Sequence, residues 1–366
     1  MIKKIPITEY SSTSITTKYK NPISINNYAD LKISPLRLAI ATAKCNFTRT
    51  ATWIDGSFEA MSTFLRLNRM VADSTGHSFL LKEQYVNNLR DFSRTSRLGE
   101  LAQGINFLLV QEVLKIPTPV DFFGYCKQIH NVEPTGKTPD FIGCTNPSHY
   151  NLIESKGSLL SSDPDIKGRL RDAINQCDAG EKFLNGIDLP NAQRKFGALA
   201  IFDFLDPKKS NNNSSIYFCD PADDNITKEF EALPLLTFYY KRLFEGFLVK
   251  AEFGKISTGQ IIFKDLERIR HNGISFVIFN SRVENVLYEE YIGGLNNMPE
   301  YVRFGISENI FESIERGDLI RYFSAINDIY DAFINPSAPK SENIAERDEY
   351  NGYEVYSDGT IFELVW

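Results

Sequence analysis

The hydrophobic pattern divides the chain into three stretches. Residues 1–93 open on a polar, Ser/Thr/Asn-rich leader. They then predict a strand at 37–43, a helix near 57–70 and a second helical pattern over about 79–92. Residues 94–250 alternate more regularly. A helix is predicted from Arg94 to Lys115, stopped by Pro117. Strands follow near 122–129, 139–143 and 149–156, and Asn146-Pro147 marks a turn between the last two. A helix over 164–185 sets Ile166, Leu170, Ala173, Ile174 and Cys177 on one face. FGALAIFDF (196–204) is a nearly continuous apolar run, as a buried central strand requires. A solvated loop (208–215), a strand at 215–219 and a long helix over 227–250 complete the stretch. Residues 251–366 predict a strand near 274–279, a helix near 307–333, a flexible connector at 336–343 and a β-hairpin turning at Asp358-Gly359.

Composition changes this picture little. The apolar and charged fractions are those of a globular protein able to bury a core. No apolar run approaches the ~18 residues of a membrane span, and the start carries no apolar signal region, so the expected address is the cytoplasm, without a membrane partner. The five cysteines are scattered and lack a CxxC pair, which argues for buried or free thiols and against a zinc site. A net charge of −7 gives no general affinity for nucleic acid, so any such binding needs a local basic patch.

Candidate chemistry concentrates in TPDFIG, CTNPSHYN and LIESKGS. Successive strand side chains alternate between faces, so Glu154 and Lys156 point the same way. Asp140 lies on the preceding strand across a hairpin-length connection, which lets the two carboxylates meet at one sheet edge beside an ammonium. Such a set suits phosphodiester hydrolysis. Carboxylate oxygens suit a hard cation such as Mg²⁺, with Mn²⁺ as a substitute, and a lysine neutralises charge building on the phosphorane. The Gly136-Lys137-Thr138 tripeptide is a decoy for nucleotide binding. Asn131 stands where a P-loop needs glycine, and Pro139 stands where its helix would begin.

Asp140, Glu154, Ser155 and Lys156 resemble the PD-(D/E)xK motif of the restriction-endonuclease-like superfamily, over roughly residues 94–205. The resemblance implies an α/β fold with an α-β-β-β-α-β core, a mixed sheet flanked by helices. It divides the chain into an N-terminal region (1–93), a nuclease-like domain (94–250) and a C-terminal α+β extension (251–366). It implies metal ligation by Asp140 and Glu154, with a further carboxylate from the first helix. Periodicity alone favours Glu112 for that role, whereas the resemblance favours Glu100, which follows Gly99 near the helix start. On the later helix, Gln176 resembles a position that touches water, lysine or phosphate. Lys167, Arg169 and Arg171 form a candidate phosphate-contacting patch.

Two functions from different classes follow. The first is a Mg²⁺-dependent DNA endonuclease of bacterial restriction or anti-phage defence, acting as a homodimer or with a partner defence protein. The second is a catalytically silent nuclease-fold subunit that binds nucleic acid or scaffolds a larger complex. The intact Asp140, Glu154 and Lys156 favour the first.

Overall fold

The structure, a computed structural model, describes residues 2–17, 21–46, 55–72, 77–89, 91–160, 164–205, 213–221, 229–247, 266–281, 301–334 and 353–365. The expected connector at 336–343, most of the expected loop at 208–215 and both ends of the expected helix at 227–250 lie outside the described residues.

The first stretch departs most from its pattern. Its polar leader forms two strands, β1 (Lys3–Tyr10) and β2 (Ser24–Ile33), paired antiparallel and joined through a short helix α1 (Ser12–Thr16). Burial along β1 alternates strictly, but the inward positions are Lys3, Ile5, Ile7 and Glu9. Charges at both ends of that row hide the strand from an apolar-alternation reading. The strand expected at 37–43 is instead helix α2 (Pro35–Asn46). Leu36, Leu38, Ala39, Ile40, Ala41 and Ala43 are all buried, so the helix is enclosed on most sides and lacks a polar face to reveal its period. Helix α3 (Asp55–Met70) follows as expected. Of the helix expected over 79–92, the described residues form α4 (Glu83–Asn87) and, from Asp91, the start of the next helix; before α4, Leu81 N–H donates to the Asp203 carbonyl instead.

Helix α5 (Asp91–Glu112) begins the middle stretch. The strand expected at 122–129 is overturned. Only β3 (Val120–Asp121) is extended, and helix α6 (Phe122–Ile129) follows, its first turn capped by the Asp121 carboxylate, which accepts from Gly124 N–H at 2.5 Å. Then come β4 (Phe141–Asn146), β5 (His149–Leu159), α7 (Ile166–Gly186), β6 (Arg194–Phe202), β7 (Ser215–Cys219) and α8 (Ala232–Phe247). One mixed sheet of order β2-β1-β7-β6-β5-β4-β3 unites these strands with the N-terminal pair, and β1 runs parallel to β7. The protein is therefore α/β, with a seven-stranded mixed sheet flanked by helices.

A second sheet, of order β11-β12-β10-β9-β8, is built from β8 (Glu267–His271), β9 (Ile274–Ser281), β10 (Tyr301–Ser307), β11 (Tyr353–Val355) and β12 (Thr360–Val365). The helix expected over 307–333 is two, α9 (Glu308–Arg316) and α10 (Leu319–Ile329), followed by a π-helical turn at Tyr330–Ile334. Gly317 breaks them with a left-handed φ of +66°, and Asp318 caps the second. The hairpin expected at Asp358-Gly359 is present. Its turn is anchored to α2, where Lys44 Nζ donates to Asp358 Oδ2 at 2.7 Å with both side chains fully buried. Arg37 of the same helix pairs with Glu354 and Glu112. Among the described residues, no helix is long and apolar enough to cross a membrane.

Candidate active site

Hairpin register places the candidate residues. Asn146 Oδ1 accepts from Ser148 N–H at 3.0 Å and closes the turn between β4 and β5. From there the ladder runs to Phe141↔Ile153, so Asp140 arrives at the level of Glu154 where β4 begins. Beyond Ile153, β5 keeps its parallel partner β6 as far as Leu159↔Phe202, but has no partner residue in β4. Side chains take over on this segment. The Asp140 carboxylate accepts from Ser155 N–H at 2.9 Å, and Asn106 Nδ2 donates to the Lys156 carbonyl at 3.1 Å.

Strand alternation then sorts the motif between two helices. Ser155 and Gly157 face α5. Asn106 Nδ2 donates to Ser155 Oγ at 2.8 Å, and a Cβ on Gly157 would lie 2.5 Å from that of Ala102, so only glycine lets helix and strand approach this closely. Glu154 and Lys156 take the other face and meet α7. Lys156 Nζ donates to Glu154 Oε1. With its amide turned to satisfy both neighbours, Gln176 donates to Glu154 Oε1 at 3.0 Å and accepts from Lys156 Nζ at 2.7 Å. The expected Gln176 position is thus part of the cluster.

Electrostatics single out Glu154. Its side chain is 4% exposed, and Oε2 is buried with no hydrogen-bond partner. Burial, and then the nearby Asp140 charge, push its pKa up to about 8, although Lys156 pulls in the opposite direction. A buried carboxylate that keeps a proton near neutrality, with one oxygen bare, is a site that a cation would relieve. Among the described residues there is no group of three or more His, Cys, Asp or Glu side chains able to hold a metal. Two carboxylates still fit Mg²⁺, which usually keeps several waters and takes one or two carboxylates from protein.

The other expected residues lie elsewhere. Glu100 accepts from Ser96 at 3.2 Å and lies 3.6 Å from Arg66 and 3.7 Å from Arg97, on the side of α5 toward α3. It is not among the side chains brought to Glu154. Its rival Glu112 is held by Arg37 at 2.7 Å. The basic patch is divided. Arg169 reaches back to the Gly157 carbonyl at 3.4 Å, Lys167 donates to the Thr17 carbonyl, and Arg171 is half-buried one turn beyond Lys167. Sequence reasoning missed Asn106 and the Ser155 backbone. A signal for Asn106 was present, because an amide inside the apolar run of GINFLLV needs a buried partner. Compared with known proteins, the chain matches no family model, no curated protein and no solved structure.

Proposed function

We propose that the protein is a metal-dependent nuclease with a restriction-endonuclease-like core, hydrolysing phosphodiester bonds in DNA. The observation that carries this reading is the cluster of Asp140, Glu154 and Lys156 at the half-paired end of β5, with Asp140 held by the Ser155 N–H and Gln176 bridging Glu154 and Lys156. The element order from α5 through β3, β4, β5 and α7 to β6 supports the core resemblance, with α6 inserted after its first strand. Asp140 and Glu154 would hold Mg²⁺ or Mn²⁺, which when bound supplies charge stabilisation and a more acidic water.

The chain's own groups have separate tasks. Glu154 Oε1 and Gln176 Oε1 each accept a hydrogen bond from Lys156 Nζ, which fixes the ammonium and leaves its third N–H for a water or a phosphate oxygen. Glu154 Oε2 is the buried acceptor without a partner, and it is the oxygen that would meet the cation. Fold-level analogy alone extends the reading to restriction or anti-phage defence, as a homodimer where both strands are cut. A silent scaffold is the second reading, favoured by the lack of a third metal-binding side chain among the described residues. Incubation with supercoiled, linear and single-stranded DNA, and with RNA, separates the two. Cleavage with Mg²⁺ that EDTA abolishes is expected; no cleavage of any substrate with Mg²⁺ or Mn²⁺ would leave the scaffold.

A further inference from the structure

We infer that Asn106 is the positioning residue that holds the Glu154–Lys156 segment in its working geometry from the back of the sheet. The inference rests on the nuclease reading for its chemical consequence, but its structural part stands independently. Asn106 is completely buried in helix α5, on the face of β5 opposite the cluster. Its two amide protons go to two places on one short segment: the hydroxyl of Ser155, the residue between the acid and the lysine, and the carbonyl of Lys156 itself. Its own carbonyl oxygen is buried without a partner. An amide half-satisfied in an apolar interior is unfavourable compared with the leucine or alanine that the rest of this helix face would accept. Packing alone therefore does not account for an asparagine here.

What the amide does is visible in the ladder. Past Ile153 the strand has lost β4, and one-sided pairing with β6 would leave the segment free to twist. Asp140 fixes Ser155 from the site side through its N–H, while Asn106 fixes Ser155 and Lys156 from the helix side. The close contact of Gly157 with Ala102 allows the helix to come near enough for both bonds. Asn106 bonds Ser155 and the Lys156 carbonyl from the face of β5 opposite Glu154 and the Lys156 side chain. It acts through the backbone that aims Glu154 and Lys156.

The test uses the full chain and Asn106→Ala, with Asn106→Ser as a gentler variant that keeps one donor, and Val277→Ala in the second sheet as a cavity control. Amide hydrogen exchange read by NMR should show Ser155 exchanging at least ~10-fold faster in Asn106→Ala relative to Leu152, which β4 still pairs. Asn106→Ser should fall between, and the control should change both amides together. In a cleavage assay, kcat should fall ~10- to 100-fold with KM nearly unchanged, as misplacement of a reacting group predicts. Parent-like Ser155 exchange in both Asn106 variants would overturn the inference, and so would faster exchange with unchanged kcat. If the parent cuts nothing, the nuclease reading fails, and the exchange rates alone decide the role of Asn106.

Discussion

Two of the lysine–carboxylate pairs among the described residues, Lys44–Asp358 and Lys156–Glu154, use similar groups to opposite ends. In the pair that anchors the C-terminal hairpin, every oxygen of Asp358 is occupied. Oδ2 accepts from Lys44 and from Tyr239 at 2.5 Å, and Oδ1 accepts from the backbone and hydroxyl of Thr360 at 3.0 and 2.6 Å. Lys44 also donates to Thr360 Oγ1 and sits 3.8 Å from the centre of the Tyr356 ring. Burial would raise the Asp358 pKa, but Lys44 and these hydroxyls outweigh it and the pKa falls. In the pair at the end of β5, burial and Asp140 win, and Glu154 rises to about 8 with Oε2 bare. Saturated hydrogen bonding makes an ion pair a fastener, whereas an incomplete set leaves charge and lone pairs available to something else.

Several variants would break or sharpen this contrast. The largest effect is expected from Asp358→Ala, which strands Lys44 without a counter-charge and should lower unfolding stability by ~3–5 kcal/mol in urea titrations. A loss below ~1 kcal/mol would show that the fastener carries little. Lys156→Ala should reduce cleavage ~10²–10³-fold while Mg²⁺ binding by calorimetry persists, because a charged lysine is not a ligand. Asp140→Ala should instead weaken Mg²⁺ binding itself; equal behaviour of the two variants would merge roles that the geometry separates. Next is the pH dependence of Glu154. Since the folded state keeps its proton longer than the unfolded chain, the stability this group contributes is present below the ordinary carboxyl range and lost as pH rises through about 8. Glu154→Gln should remove that slope, so its melting temperature should gain on the parent between roughly pH 5 and 8. A parallel pair of profiles would place the carboxylate in a wetter setting than its burial indicates. The smallest change is expected from Glu100→Ala. A side chain one-third exposed, among arginines 3.6 and 3.7 Å away, contributes under ~1 kcal/mol, and Mg²⁺ affinity should stay at the parent level.

Legibility in the sequence tracked how each element is buried. β5, β6 and β7 could be read because apolar runs bounded by turn residues suit strands inside a sheet, and α7 because one side of it meets water. The Glu154-x-Lys156 spacing and Gln176 on the next helix were likewise local signals. α2 was misread as a strand because it is heavily buried, so its hydrophobic run has no polar face to mark a period of 3.6; α6 was misread because it spans only eight residues, too few for its exposed Lys127 and Gln128 to establish that period. Their ends carried better information than their middles, in Pro35 at the first helical position and Asp121 at an N-cap. The position of Glu100 was not legible, because the direction of a helix side chain depends on what packs around the helix. Here α3 supplies Arg66, 3.6 Å from the Glu100 carboxylate.

The parallel pairing of β1 with β7 has a consequence in time. Lys3–Tyr10 can close a hairpin with Ser24–Ile33 soon after both leave the ribosome, but their other edge must wait for Ser215–Cys219. At synthesis rates of ~5–20 residues per second, a gap of about 200 residues keeps that edge unpaired for ~10–40 s. Throughout that interval a row containing Ile5 and Ile7 is open to any extended segment nearby. The inward Lys3 and Glu9, which obscure the strand in the sequence, then serve as charged guards at its two ends, discouraging the wrong neighbour until the right one is made.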